Sequence, residues 1–397
     1  MQVTTEKGSG RKILVAIFFW RALDLEGGAS LVSGVVNALE KQGHEVSLLL
    51  PTRSDNIPGH IPVTTYLGRS GLSTLRRYLQ RLRRASANVD AVIVLENNPT
   101  FHLLMSRFLA RTTPTAIHIS SPTVGIEILS LGLRRQYLSH WLGKSRFAAR
   151  IFGYLLGFRF PLYVVSTEYQ KDELRSLGCP PEKVQVVPFG VDPTVFEPSG
   201  RVEHTTGLIV GYVGHFSPIK GVADLVAAFN SLAVSRPTLE LRLAWSGKGA
   251  DAPATMRQIE SSPRRAGIQL MGRVDVAEFM RQVDVIVLPF RSGSIPHLPL
   301  VLLEAFAMGV PVITTRVGGL VEAVRDGETG YTVRPRRPSE LARAIARFDD
   351  DPELWNSLRA TILARAPQRY STERLCEVLT SCLLGNEGAE RISTPIE

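Results

Sequence analysis

The chain has 397 residues, of which 44% are hydrophobic and 21% charged, and its formal net charge is +9. This composition excludes an intrinsically disordered chain, and the length suits two α/β domains of ordinary size. Cys179, Cys376 and Cys382 fit neither a metal-ligand spacing nor a disulfide framework, which predicts a reduced, cytoplasmic compartment. The apolar run at 13–20 is too short to cross a bilayer and predicts a buried first strand.

The first half of the sequence alternates short apolar runs with segments of helical periodicity. The apolar runs predict β-strands at 12–19, 45–50, 91–95, 115–119, 162–165 and 184–187. Between several of them, segments such as 31–42 have apolar residues at i, i+3 and i+4 and predict helices. Strands that alternate with helices predict a parallel sheet that helices cover on both faces.

The positive charge of the first half is concentrated in one region. Residues 69–159 contain 14 Lys/Arg and three Asp/Glu, a net charge of +11. The segment 69–84 has six arginines and no acidic residue, and a second basic segment with aromatic residues follows at 133–160. Four leucines recur at helical spacing beside the arginines, namely Leu72, Leu75, Leu79 and Leu82.

A basic amphipathic helix of this kind is typical of proteins that meet an anionic membrane surface or an anionic, lipid-linked acceptor. The other interpretation is a solvated helix whose leucines pack on the sheet. A nucleic-acid partner is disfavoured because no nucleic-acid-binding module accompanies the charge.

The alternation of strands and helices restarts in the second half. It predicts strands at 208–214, 239–244, 268–271, 283–289 and 310–315, with helices at 221–235, 276–282 and 300–308. The Pro- and Gly-rich stretch at 189–201 predicts a linker. We therefore predict α/β domains at 1–195 and 196–370 with a cleft between them, and a C-terminal helix and tail at 371–397 that returns to the first domain. In open α/β sheets, ligands bind beyond the carboxyl ends of the strands.

The loop after the first strand of the second domain is one candidate site. It lies in the sequence Gly211-Tyr-Val-Gly-His-Phe-Ser-Pro-Ile-Lys-Gly221. Glycine lets a backbone approach a ligand closely, and Lys220 before a helix supplies a point charge for phosphate. The spacing matches neither a Walker motif nor GxGxxG. A plain turn with a solvated lysine is the other interpretation.

A second candidate site follows the strand predicted at 283–289. A polar loop comes first, and a helix then opens near Pro299, apolar except for Glu304. The free N–H groups at a helix start can hold a diphosphate, and a carboxylate among apolar residues needs a partner such as a pair of ribose hydroxyls. The other interpretation is a glutamate at the helix edge that is bonded to backbone.

These two segments, at this separation, resemble family 4 of the retaining glycosyltransferases, which have the GT-B fold of two Rossmann-like domains that face each other across a cleft. The resemblance includes 187–196, Ser166-Thr-Glu-Tyr, Gly27-Gly28 after the first strand, and Gly318-Gly319. It implies transfer of a sugar from a nucleoside-diphosphate sugar, with retention. It also implies that the enzyme works without a bound metal or cofactor.

The resemblance further implies roles for individual residues. Lys220 would bind the donor diphosphate, Glu304 would hold the ribose hydroxyls, and His118 would lie near the transferred sugar, which makes these three the catalytic candidates. The other donor-binding candidates are Gly27, Gly28, Gly214, His215, Arg273, Val274, His297, Leu300 and Val301. Of these, Arg273 and Val274 would lie against the base, and the amides of Leu300 and Val301 would meet the phosphates. His118 as a core or loop-stabilising histidine is the other interpretation.

Two positions depart from the family pattern. His215 stands where the family has an arginine, and a histidine carries full charge only when protonated. Pro296 stands eight positions before Glu304, where the family has a glutamate that contacts the sugar. Ser294 and His297 are candidates to replace that contact. The departure keeps open a catalytically weakened relative that serves as a binding or partner subunit.

Two other functional interpretations are disfavoured. Asp349-Asp-Asp351 matches the metal-binding Asp-x-Asp of another transferase class, but Pro352 directly after it predicts a turn and a helix cap. A dinucleotide-dependent oxidoreductase would need a GxGxxG after one of the first strands, which the sequence lacks. We therefore predict a metal-independent, cytoplasmic transferase, peripheral at the membrane, whose acceptor is a lipid-linked or anionic glycan.

Overall fold

The computed structural model describes residues 10–18, 25–53, 57–67, 71–96, 113–119, 162–176, 178–198, 207–245, 247, 249–291 and 298–385. The chain divides into two compact units, one of Met1–Gly190 with Ser371–Glu397 and the other of Val191–Tyr370. Each unit contains one parallel sheet with helices between its strands, which confirms the predicted α/β class with two Rossmann-like domains.

The first unit is built on a seven-stranded sheet. Its strands are β1 (Lys12–Phe18), β2 (Glu45–Leu50), β3 (Val63–Thr65), β4 (Ala91–Glu96), β5 (Thr115–Ile119), β6 (Leu162–Val165) and β7 (Val184–Val186). They lie in the order β3-β2-β1-β4-β5-β6-β7 and run parallel, so that Val15 pairs with Leu48 on one side and Ile93 on the other. Three described helices precede the second unit, namely α1 (Leu25–Lys41), α2 (Gly71–Ser86) and α3 (Glu168–Ser176).

The second unit has a six-stranded parallel sheet. Its strands are β8 (Ile209–Val213), β9 (Glu240–Ala244), β10 (Ile268–Gly272), β11 (Val285–Leu288), β12 (Val312–Thr315) and β13 (Gly330–Val333). Its helices are α4 (Val222–Ala233), α5 (Ala252–Glu260), α6 (Val276–Arg281), α7 (Leu300–Ala307), α8 (Leu320–Ala323), α9 (Pro338–Asp350) and α10 (Pro352–Arg369). The strand order is β10-β9-β8-β11-β12-β13. The chain order therefore reverses between β8 and β11, which is the switch point where such sheets bind ligands.

The last described helix, α11 (Thr372–Leu384), belongs to the first unit and packs on α1. Cys376 Sγ lies 3.8 Å from the carbonyl oxygen of Val35, and a Cβ at Gly34 would lie 3.7 Å from the side chain of Thr372. The hydroxyl of Ser371 caps the helix by accepting a hydrogen bond from the next turn. The helix α11 thus adds to the helical cover of the first sheet.

Candidate functional site

Lys220 folds back over the turn that follows β8. Gly214 has a φ of 147°, and a Cβ built there would lie 2.9 Å from Lys220 Nζ and 3.0 Å from the Tyr212 hydroxyl oxygen. The Tyr212 hydroxyl donates to the carbonyl oxygen of His215 at 2.8 Å, and the Lys220 N–H donates to that of Ser217 at 3.0 Å. Glycine is therefore needed at 214, because a side chain would displace the lysine.

The ammonium group of Lys220 is poorly solvated. Burial lowers its pKa, because the charged form loses hydration. Within the described residues, neither a hydrogen bond nor an ion pair engages Nζ. A cation in this state is stabilised by an anion that enters the site, which makes the turn a candidate for binding phosphate.

The start of α7 presents two N–H donors that no described residue engages. Pro299 precedes the helix with φ −61° and ψ 138° and supplies no side-chain cap. The N–H groups of Leu302 and Leu303 donate to the Pro299 carbonyl oxygen at 3.0 and 3.4 Å. Among the described residues, the N–H groups of Leu300 and Val301 have no acceptor. These two donors and the positive end of the helix dipole form a site that favours an anion.

Glu304 lies one turn further into α7, between the buried residues Leu303 and Ala305. Burial raises the pKa of its carboxyl to about 7. Its side chain has no hydrogen-bond or ion-pair partner in the part of the chain that the structure describes. The carboxylate can therefore accept hydrogen bonds from hydroxyl groups of a ligand.

The Lys220 turn after β8 and the segment after β11 both lie at the switch point of the second sheet. β8 and β11 are neighbours, with Val285 paired to Val210, so their loops leave the same edge. The N–H of Arg291, three residues after β11, donates to the carbonyl oxygen of Ile219 at 2.7 Å. The Lys220 turn and the segment that leads to α7 thus lie side by side.

Arg273 and Val274 directly follow β10, at the same edge of the sheet and two strands from β8. Arg273 is exposed and Val274 half-buried, and His215 after β8 is also exposed. The structure therefore places these three candidates at the carboxyl ends of β10 and β8, and their contacts with the base and the phosphates stay what the family resemblance implies.

The remaining candidates lie elsewhere or outside the described residues. His118 is on β5 of the first unit, paired with β4 and β6. Gly27 and Gly28 lie in the first turn of α1, which begins at Leu25. They are therefore helical, because the helix starts six residues earlier than its apolar periodicity indicates. His297, like Ser294 and Pro296, is not among the described residues.

The three aspartates at 349–351 have structural partners. Arg236 forms ion pairs with Asp349 and Asp350, and Asp351 caps α10 by accepting from the Glu353 N–H at 3.1 Å. Nowhere in the described ranges do three His, Cys, Asp or Glu side chains cluster as metal ligands. Asp351 is therefore the predicted helix cap, whereas Asp349 and Asp350 are the last residues of α9 rather than part of a turn.

The basic helix α2 buries one face and exposes its arginines. Tyr78 and Leu82 are in the core, and Leu79 packs partly against it. At these positions the apolar stripe of α2 packs in the core of the first unit. The side chains of Leu72 and Leu75 are not among those that the structure describes. The exposed side chains are those of Arg76, Arg77, Arg81, Arg83 and Arg84. Of the helices described, none is both long and apolar enough to span a membrane.

One contact at the site was not predicted from the sequence. Arg291 Nε and Nη2 donate to the two carboxylate oxygens of Asp224 at 2.7 and 2.6 Å. Asp224 is in the first turn of α4, four residues after Lys220. The only sign of this ion pair in the sequence is that an acidic residue follows β8 and a basic residue follows β11.

Comparison with known proteins places the chain in a family. Residues 25–195 match the family model Glycosyltransferase Family 4, and residues 207–351 match the model Glycosyl transferases group 1. The chain therefore belongs to the group 1, family 4 glycosyltransferases, as the resemblance predicts.

The chain spans about half the length of the curated relatives it matches. A D-inositol 3-phosphate glycosyltransferase of Actinosynnema mirum is 32% identical over 234 residues, which are 54% of this chain and 55% of the relative. A protein of the same name from Geodermatophilus obscurus is 36% identical over 195 residues, 44% of this chain and 43% of the relative.

Solved structures confirm the GT-B fold. HepE of Anabaena in complex with UDP-glucose has a TM-score of 0.72 at 18% identity and covers 94% of this chain and 100% of its own. Sucrose-phosphate synthase of Thermosynechococcus elongatus has a TM-score of 0.72 at 19% identity, with 96% and 100% covered. WaaG, a glycosyltransferase involved in lipopolysaccharide biosynthesis, has a TM-score of 0.66 at 17% identity, with 93% and 99% covered.

Proposed function

We propose that the chain is a glycosyltransferase that binds a nucleoside-diphosphate sugar through its second unit. The observation that carries this proposal is the arrangement at the β8/β11 switch point. A poorly solvated Lys220 lies in one loop, and the adjacent loop leads to a helix start with two N–H donors and to Glu304, all of them without partners among the described residues. A cation and amide donors suit a diphosphate, and a carboxylate suits the hydroxyl pair of a ribose.

In this function, catalysis is largely electrostatic. As the bond between the anomeric carbon and the phosphate oxygen breaks, charge develops on the leaving diphosphate. Lys220 and the N–H groups of Leu300 and Val301 stabilise that charge, and His215 adds a donor when protonated. Arg273 and Val274 contact the base, and ionised Glu304 holds the ribose.

The finer features follow the family. We propose UDP as the nucleotide, because the HepE structures contain UDP or UDP-glucose. We propose transfer with retention, with His118, Gly27 and Gly28 on the sugar side of the donor. Lys220 and the helix dipole supply the neutralisation of the diphosphate, so no metal or cofactor is required.

The acceptor is proposed to be anionic, either a phosphorylated or lipid-linked glycan or a molecule presented at an anionic membrane. Two observations support this class. Five arginines line the exposed face of α2, and the curated relatives are named for an acceptor that carries phosphate.

The test is release of nucleoside diphosphate from UDP-glucose, UDP-galactose and UDP-N-acetylglucosamine by the purified chain. Slow hydrolysis of at least one donor, lost in Lys220→Ala, is the expected result. Nucleotide binding without any hydrolysis would favour the weakened relative that Pro296 suggests.

A further inference from the structure

Arg291 and Asp224 join the two loops of the second unit that carry the proposed donor site. Their ion pair is bidentate, and the side chains of Arg291 and Asp224 are only 19% and 13% exposed. A guanidinium fork on a carboxylate fixes direction as well as distance, which a lysine at the same place cannot do. The pair therefore holds the first turn of α4 against the segment that follows β11.

Two backbone contacts run beside this ion pair. The Arg291 N–H donates to the Ile219 carbonyl oxygen at 2.7 Å. Gly221 has a φ of 65°, and a Cβ there would lie 2.0 Å from the carbonyl oxygen of Pro289. Ile219 and Gly221 are the neighbours of Lys220. The backbone on both sides of the lysine is thus fixed to the 289–291 segment.

We propose that Arg291 and Asp224 are positioning residues that hold Lys220 where the donor diphosphate binds. The inference rests on the proposed function and adds to it a residue pair that touches neither donor nor acceptor. Without the ion pair, only the backbone contacts hold the Lys220 turn to the 289–291 segment, and the lysine is positioned less accurately. A displacement of about 1 Å in a catalytic group can lower turnover by about 10²-fold.

The same unit offers a matched control pair. Arg236 follows the other end of α4 and pairs with Asp349, and the exposed fractions of their side chains are 23% and 25%. This ion pair is comparably buried and joins α4 to α9, but no donor-site candidate lies beside it. Loss of either ion pair should lower the melting temperature, whereas only loss of the Arg291–Asp224 pair should lower turnover.

The experiment compares Arg291→Lys and Asp224→Asn with Arg236→Lys and Asp349→Asn in the full chain, using donor hydrolysis and thermal unfolding. The first two variants should lower kcat by about tenfold or more, with a smaller change in KM for the donor. The double variant of Arg291 and Asp224 should be no slower than the poorer single variant, because the two residues act as one unit. Asp224→Glu should recover part of the loss, and the control variants should keep wild-type kcat.

Normal kcat in folded Arg291→Lys and Asp224→Asn would overturn the inference, as would an equal loss of kcat in the control pair. A wild-type chain that neither binds UDP nor releases it from any donor would overturn the proposed function together with this inference. The two failures are distinguished by the activity of the wild type.

Discussion

The ammonium group of Lys220 is poorly solvated. In the proposed function, the negative charge of the leaving diphosphate stabilises it. Lys220→Ala should lower turnover by about 10²–10³-fold, the usual cost of losing one donor to a developing negative charge. Folding should not suffer, because the substitution removes a poorly solvated cation that has no partner among the described residues. Lys171→Ala, at a partly exposed surface pair with Glu168 on α3, is the control. Wild-type turnover in folded Lys220→Ala would remove the lysine from the site.

Glu304 should make stability depend on pH. Its pKa is about 7 in the folded chain against an ordinary 4.5, so the folded state binds more protons than the unfolded state between these values. The free energy of unfolding therefore falls as the pH rises through this window, by up to about 3 kcal/mol for this group.

Glu304→Gln removes this dependence. The variant should be more stable than the wild type at pH 8 and equally stable at pH 4, where the carboxyl is protonated in both states. Chemical denaturation at the two pH values measures the difference. If the variant and the wild type differed in free energy of unfolding by the same amount at pH 4 and pH 8, ionisation of Glu304 would not be the cause of the difference.

Nucleotide binding should depend on the same carboxyl with the opposite sign. Ribose hydroxyls donate to the ionised form, so the contribution of Glu304 to the affinity for UDP should rise with pH through about 7. Glu304→Gln should bind more weakly, by about 1.5–3 kcal/mol, and should lose this rise. Calorimetric titration across the range tests both statements. Unchanged affinity in the variant would assign Glu304 a structural role.

At the scale of single elements, α2 is the helix for which binding to an anionic membrane can be tested. Its arginines are exposed while Tyr78 and Leu82 bury the opposite face, so binding to a membrane would be electrostatic. Each basic residue near an anionic leaflet contributes about 1 kcal/mol, and salt screens the effect.

Replacing Arg76 and Arg84 by Glu should abolish co-sedimentation with anionic vesicles at low salt. The same charge change at Arg257 and Arg343, exposed residues of the second unit, is the control and should preserve it. No binding of the wild type to anionic vesicles at low salt would leave a soluble acceptor as the alternative.

The order of strands and helices could be predicted because parallel strands buried on both faces are continuous apolar runs. Most predicted strands agree with the structure within two residues. Of the strands in the described ranges, two were not predicted. β3 has only three residues, none fully buried, and β13 begins with a glycine and has a half-buried centre. Neither gives an apolar run long enough to be recognised.

The candidate site could be predicted only in part. Lys220 and Glu304 stand out locally, one between glycines after a strand and the other in an apolar helix. The Arg291–Asp224 pair joins residues 67 apart, and its geometry depends on how β8 and β11 pair. Sequence spacing does not contain that information. The roles of His118, Gly27, Gly28 and His297 stay predictions.

At the scale of the whole molecule, the groups proposed to bind the nucleoside diphosphate all lie in the second unit. The first unit, with the end of the chain packed on α1, carries the basic region. The net charge of +11 within 69–159 contrasts with +9 for the full chain, so the remainder is nearly balanced. This division agrees with a donor bound by one unit and an anionic acceptor recruited by the other.

Binding of a nucleoside diphosphate through the second unit is the property on which the proposed function depends. The most direct measurement is thermal unfolding of the wild type and of Lys220→Ala with UDP, GDP and ADP. We predict that UDP raises the melting temperature of the wild type, since a ligand at 100 times its dissociation constant stabilises by about 2.7 kcal/mol. The shift should be much smaller in Lys220→Ala. No shift with any of the three nucleotides, or an equal shift in both proteins, would contradict the account.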